Sequence, residues 1–80
     1  MKRNSFVEPV EKLKILYKNG EIEIQGNREG LKDLGEICLA LSELSDEEAK
    51  TAANHVHFAD YMNNAEDGSI PTTVLLKPNL

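Results

Sequence analysis

The sequence predicts an α+β fold with a two-layer ββαββ architecture, in which one helix packs on one face of a four-stranded, mostly antiparallel sheet. Three observations predict this fold: apolar alternation on both sides of Asn19-Gly20, a helical apolar stripe after Asn27, and two strand-like segments nearer the C-terminus. Within the 80 residues, we assign residues 1–11 to an N-terminal tail and residues 12–80 to a single domain.

The first two strands are predicted to form a hairpin. Leu13, Ile15 and Tyr17 alternate with other side chains, and Ile22 and Ile24 resume the alternation after the turn. The Asn-Gly pair between them suits a two-residue type I′ turn, which requires positive φ at both positions. This turn pairs Tyr17 with Ile22 and Ile15 with Ile24, so all five apolar residues are expected on the core face.

A helix is predicted to begin after Asn27, because asparagine is a favoured N-cap residue. Its buried stripe is expected to comprise Leu31, Leu34, Ile37, Cys38, Leu41 and Leu44. Since Cys38 lies in this stripe, we expect a buried packing thiol and not a nucleophile. Gly35 is expected to let the helix approach the sheet closely.

Two further strands complete the predicted sheet. The third places Val56 and Phe58 toward the core, so His55 and His57 share the opposite face. The last strand lies within residues 70–77, where either parity of side chains suits the core. With antiparallel neighbours throughout, the strand order is either 2-1-3-4 or 1-2-4-3.

The formal charge of −5 is unevenly distributed along the chain. Residues 1–20 carry five basic and two acidic side chains, whereas residues 21–80 carry four basic and twelve acidic ones. This balance disfavours nucleic acid as a partner and suits a basic protein. Ser45-Asp46-Glu47-Glu48 belongs to the acidic region, and its capping-box pattern predicts one further short helical turn.

Features of export and membrane insertion are missing from the sequence. A single cysteine permits no internal disulfide, which is typical of a reducing compartment. Lys2 and Arg3 are not followed by an apolar segment of signal-peptide length. The longest apolar run, Ile37 to Leu41, is too short to span a bilayer. We therefore expect a cytoplasmic protein.

The two histidines suggest an alternative function in binding a divalent metal. Strand alternation brings His55 and His57 to one side, and a carboxylate such as that of Asp60 would add a third ligand. Two ligands are too few for a structural site, so solvated or partner-contacting histidines are the preferred interpretation. No phosphate-loop or calcium-loop pattern is present, and we predict neither catalysis nor a cofactor.

Three short segments suggest a family. They read Glu-Ile-Gln-Gly-Asn-Arg-Glu-Gly-Leu-Lys-Asp-Leu at residues 23–34, Asn-His-Val-His-Phe at residues 54–58 and Gly-Ser-Ile at residues 68–70. In this order, within residues 12–77, they resemble small immunity proteins of bacterial polymorphic-toxin systems. The resemblance implies a cytoplasmic protein that binds and neutralises a cognate toxin and has no catalytic activity of its own.

The sequence therefore predicts a small protein-binding module that acts by occluding a partner, such as a basic toxin domain. Contacts are expected on the open sheet face and on the acidic helix and the loop after it, with named candidates at His55, His57, Glu21, Glu23, Asp46, Glu47 and Glu48. A third alternative is a structural homodimer that associates through Leu16 and either Leu75 or Leu76.

Overall fold

The computed structural model describes residues 10–80, so the first nine residues of the predicted tail lie outside the described residues. The regular elements are strands β1 (Leu13–Lys18) and β2 (Glu21–Gly26), helix α1 (Arg28–Ser42), and strands β3 (His55–Phe58) and β4 (Thr72–Leu75). Short 3₁₀ helices lie at Glu48–Lys50, Ala52–Asn54 and Asp60–Met62. The predicted α+β class and the ββαββ order are confirmed.

The β1–β2 hairpin has the predicted turn and register. Asn19 has a φ of 54° and Gly20 a φ of 85°, as the type I′ turn requires. Across the two strands, Tyr17 pairs with Ile22 and Ile15 pairs with Ile24. Local turn chemistry and strand alternation were sufficient to predict this element.

The β3–β4 pair resolves the parity that the sequence left open. The strands are antiparallel, with Val56 opposite Val74 and Phe58 opposite Thr72. Val74 packs against the core, whereas Leu75 is 47% exposed. The inward residues of β4 are therefore the even-numbered ones.

The four strands form two separate two-stranded sheets, and the single four-stranded sheet that we predicted is not formed among residues 10–80. In place of a third strand, residues 66–70 lie along the outer edge of β1. The Glu66 N–H donates to the Leu13 carbonyl and the Ile70 N–H to the Ile15 carbonyl, each at 2.7 Å. The buried Ser69 hydroxyl accepts from the Ile15 N–H at 3.1 Å.

This segment is irregular because it contains a turn. The Ser69 N–H donates to the Glu66 carbonyl at 3.0 Å, and Gly68 has a φ of 84°. Residues 66 and 70 therefore bond to β1 carbonyls that are only two residues apart, which a regular ladder does not allow. Neither predicted strand order accounts for this junction, since both orders place a complete strand beside β1 or β2.

Both sheets and the helix share one core. Leu13 and Ile15 of β1 and Phe58 of β3 are its buried members. The half-buried residues packed against them are Leu34, Ile37, Val56, Ile70 and Val74. A two-stranded sheet is at best marginally stable by itself, so this shared cluster holds the two sheets together.

The N-terminus of α1 is attached to the chain that leads into β1. Asn27 is the N-cap, and its Oδ1 accepts from the Gly30 N–H at 2.7 Å and the Lys12 N–H at 3.0 Å. Its Nδ2 donates to the Val10 carbonyl at 2.6 Å. A Cβ at Gly30 would overlap the Lys12 carbonyl, whereas one at Gly35 would meet no atom within 4 Å. The close approach therefore occurs at Gly30, and the prediction for Gly35 was wrong.

The buried face of α1 is narrower than the predicted stripe. It comprises Gly30, Leu34, Ile37 and Leu41, all buried or half-buried. Cys38 is exposed, so the prediction of a buried packing thiol was wrong. Leu31 is 48% exposed. The contact at Gly30 turns the face of α1 that bears Gly30 and Leu34 toward the sheet. Cys38 and Leu31 therefore lie on the flank of the helix.

Candidate protein-binding surface

The end of the hairpin next to the turn exposes three large apolar side chains. Tyr17 is 66% exposed, Ile22 57% and Ile24 47%. We expected these residues in the core with Leu13 and Ile15, and that prediction was wrong. The core takes its β1 residues only from the first half of the strand, so the apolar face continues into solvent. We call Tyr17, Ile22 and Ile24 the exposed hairpin end.

The other face of β2 carries its acidic residues. Glu21 is exposed and pairs across the hairpin with Lys18, and Glu23 is half-buried and pairs with Leu16. The Gln25 Nε2 donates to Glu23 Oε1 at 2.8 Å. Because strand residues alternate in direction, these carboxylates point away from the side of the sheet that bears the core.

The two histidines share one face of β3, as predicted. Their ring centroids are 4.7 Å apart, and the ring planes meet at 81°. His57 Nδ1 lies 2.9 Å from Thr73 Oγ1, and His55 Nδ1 lies 2.7 Å from Asn54 Oδ1. The exposed Leu75 pairs with His55 across the strands. We call His55, His57, Thr73 and Leu75 the histidine surface.

Asp60 does not extend this surface into a metal centre. Its Oδ2 accepts a hydrogen bond from the Gly68 N–H at 3.2 Å. Within residues 10–80, no group of three or more His, Cys, Asp or Glu side chains is placed to hold a metal ion. The metal hypothesis for His55, His57 and Asp60 therefore gains no third ligand from the fold.

The acidic segment after α1 forms the predicted capping box. The Glu48 N–H donates to the Ser45 hydroxyl at 3.1 Å, and the Ser45 N–H donates to Glu48 Oε1 at 2.9 Å. The Ser45 backbone N–H, with a further contribution from the hydroxyl, lowers the pKa of Glu48. One carboxylate oxygen of Glu48 is thus used within the chain. Asp46 and Glu47 are exposed in the turn.

The predicted contact residues do not come together in one cluster. Glu21 and Glu23 lie on β2 of one sheet, and the histidines lie on β3 of the other sheet. The acidic turn follows the helix. The fold therefore divides the residues that we expected on the open sheet face between two sheets, and it keeps the acidic turn apart from both.

Sequence reasoning missed the exposed hairpin end, although a signal for it is present. Six-residue strands such as β1 and β2 are about 20 Å long, whereas a helix is about 10–12 Å wide with its side chains. A single helix that crosses such a hairpin leaves part of its apolar face uncovered. Alternation identifies the apolar face but not the covered part of it.

A comparison with family models matches residues 21–78, more than half of the chain, to Immunity protein 32. The chain belongs to the Immunity protein 32 family. The match confirms the resemblance to immunity proteins, and it runs from the start of β2 to beyond β4. Searches of curated proteins and of solved structures found no match. No helix within residues 10–80 is long and apolar enough to cross a membrane.

Proposed function

We propose that this member of the Immunity protein 32 family is a non-catalytic protein that binds a cognate toxin in the cytoplasm and neutralises it by occlusion. The observation that carries the proposal is the family match over residues 21–78. An occluding protein needs no reactive group of its own, only a surface that excludes the substrate of the toxin.

Surface composition supports a protein partner for this binding. The histidine surface combines polar side chains with the exposed Leu75, and the exposed hairpin end presents three large apolar side chains. Aromatic residues such as Tyr17 are enriched where proteins associate.

Net charge supports a basic partner. The formal charge is −5, and Asp46 and Glu47 add exposed carboxylates in one turn. Complementary charge accelerates association and selects among partners more than it adds affinity. A basic toxin domain is therefore the partner class that we propose.

The proposal is tested with the toxin domain encoded by a neighbouring reading frame. Co-production of this protein in a bacterial host should restore growth that the toxin domain arrests, and calorimetry with the purified proteins should detect a complex. Toxicity that continues unchanged, together with no measurable complex, would reject the proposed function.

Charge variants test whether the acidic turn participates. Glu47→Lys should lower the association rate about tenfold at low salt if the turn guides a basic partner. Glu36→Lys is the matched control, because it changes the net charge equally at an exposed position on α1. Equal rates for the two variants would remove the turn from the contact surface and leave only a general effect of net charge.

A further inference from the structure

Within residues 10–80, β2 pairs only with β1, and its other edge is open. In a two-residue hairpin, the residues that flank the turn, here Lys18 and Glu21, form a hydrogen-bonded pair, and such pairs alternate with non-bonded ones. The backbone N–H and C=O groups of Ile22 and Ile24 therefore point away from β1, toward the open edge.

The hydrogen bonds of β1 agree with this direction of the backbone groups of Ile22 and Ile24. Ile15 pairs with Ile24 across the hairpin. Its N–H donates outward to the Ser69 hydroxyl, and its carbonyl accepts outward from the Ile70 N–H. Since the two residues of a non-bonded pair both direct their backbone groups outward, those of Ile24 point to the opposite edge.

The side chains along the open edge suit strand addition. Ile22 and Ile24 are both about half exposed on one face, and Glu21 and Glu23 lie on the other face. Edge strands of natural proteins are usually protected by charges on the edge, proline, bulges or covering segments. On β2 the charges of Glu21 and Glu23 lie on one face only and are all of one sign, whereas aliphatic side chains occupy both outward-bonding positions and provide contacts for an added strand.

The outer edge of β3 is protected in a different way. The Asn64 side chain accepts from the Ala59 N–H at 2.9 Å and donates to the His57 carbonyl at 2.7 Å. It thus satisfies backbone groups at the end of β3, as a neighbouring strand would. Comparable protection of Ile22 and Ile24 is not found in the part of the chain that the structure describes.

We propose that the open edge of β2 binds an extended segment of the toxin by β-strand addition, and that this segment alternates aliphatic and basic side chains. Aliphatic side chains would lie beside Ile22 and Ile24, and basic ones beside Glu21 and Glu23. The identity of the partner as a toxin rests on the proposed function; the chemistry of the edge does not.

Charge favours this occupant over a second copy of the chain. In an antiparallel pairing of two β2 edges, a two-fold axis at Glu23 places the two Glu23 carboxylates opposite each other. An axis at Ile22 places Glu21 opposite Glu23 of the second copy. Like charges directly opposite are destabilising. Of these three registers, only the one centred on Ile24 avoids this repulsion, by placing Glu23 opposite Gln25. A strand of alternating aliphatic and basic side chains keeps its basic side chains beside Glu21 and Glu23 in every register that differs by two residues.

The first experiment uses the full chain and a blocked peptide of alternating lysine and valine as the probe. Amide hydrogen exchange, followed by NMR, should be fast at Ile22 and Ile24 in the free protein. The exchange rates of both amides should fall at least about tenfold when the peptide is added. A peptide of alternating glutamate and valine should leave both amides unchanged. Equal effects of the two peptides, or none, would overturn the proposal.

Variants separate the backbone contribution from the side-chain contribution. Ile24→Pro removes an outward N–H that the β1–β2 ladder does not use, and edge strands tolerate proline at such positions. It should weaken peptide binding at least about tenfold more than Ile24→Ala, which keeps the N–H. If Ile24→Pro fails to fold, the double variant Glu21→Lys and Glu23→Lys still tests the proposal, because it should bind the glutamate–valine peptide more tightly than the lysine–valine peptide. An unchanged preference for the lysine–valine peptide would overturn the proposal.

Other occupants give different results. Slow exchange of Ile22 and Ile24 in the free protein that becomes fast on dilution would identify a second copy, and sedimentation would then show a dimer. Slow exchange that is lost when residues 1–9 are deleted would identify a segment of the same chain. Either result would overturn strand addition by a toxin.

The toxin domain provides the closing test. Its complex with the wild-type protein should protect Ile22 and Ile24, and Ile24→Pro should weaken that complex at least about tenfold relative to Ile24→Ala. A complex without protection and without this loss would overturn the edge site and leave the proposed function intact. If the wild-type protein binds no toxin but binds the lysine–valine peptide, the proposed function fails and the chemistry of the edge stands.

Discussion

Asn27 and Gly30 show how two small residues position a helix. Asn27 satisfies backbone groups at the helix N-terminus and in the chain before β1, and it thereby joins the two segments. Gly30 lets this contact form, since any side chain there would overlap the Lys12 carbonyl. Placement of the helix therefore depends on the absence of a Cβ at one position.

The two helical glycines should respond oppositely to alanine. Gly30→Ala should destabilise the protein, because an overlap with backbone costs about 1–3 kcal/mol and outweighs the gain in helix propensity. Gly35→Ala should stabilise it by about 0.5–1 kcal/mol, because the added methyl group meets no atom and helix propensity improves. Urea unfolding gives both free energies, and stabilisation by Gly30→Ala would contradict the docking geometry.

At the scale of the element, residues 66–70 replace a strand by a turn and a side chain. Two backbone N–H groups of the segment bond to β1 carbonyls. The outward group between these two carbonyls, the Ile15 N–H, is satisfied by the Ser69 hydroxyl. Since Ile15 and Ser69 are both buried, water cannot easily replace this bond.

Ser69→Ala should lower the free energy of unfolding by about 1–3 kcal/mol, because a buried N–H loses its acceptor. Ser42→Ala is the matched control: the Ser42 hydroxyl donates to the Leu39 carbonyl at an exposed helix position, and its loss should change stability by less than about 0.5 kcal/mol. Thermal unfolding distinguishes the two variants. Equal midpoints would show that the Ser69 hydroxyl does not stabilise this junction.

At the scale of the whole molecule, the two sheets form one domain because they share apolar contacts. Leu13 and Ile15 come from one sheet and Phe58 from the other, and Leu34 and Ile37 of α1 pack against this cluster. Backbone pairing alone would leave two marginal hairpins. We therefore expect one cooperative unit of unfolding.

Phe58→Leu tests this cooperativity, because it should lower the free energy of unfolding by about 1 kcal/mol or more while preserving an apolar core. Amide exchange at Leu16 of β1 and Val56 of β3 should accelerate by the same factor if both open only by global unfolding. Leu39→Ala, at a 60% exposed position, should change neither amide. Acceleration at Val56 alone would show that the sheets unfold separately.

Local chemistry was enough to predict the hairpin, the start of the helix and the face of β3 that points toward the core. Asn19-Gly20 determines the turn, Asn27 caps the helix, and alternation places Val56 toward the core. Each of these features depends on residues close together in the chain or directly opposite in a strand pair. The capping box at Ser45 belongs to the same class.

Burial depended on where the helix lies. An apolar stripe is compatible with several rotations of α1, and the contact between Gly30 and Lys12 selects the one that leaves Cys38 exposed. The same docking leaves Ile22 and Ile24 exposed at the hairpin end. Residue periodicity thus specifies which faces are apolar, whereas only packing between distant segments decides which of those faces are buried, because burial requires a second surface.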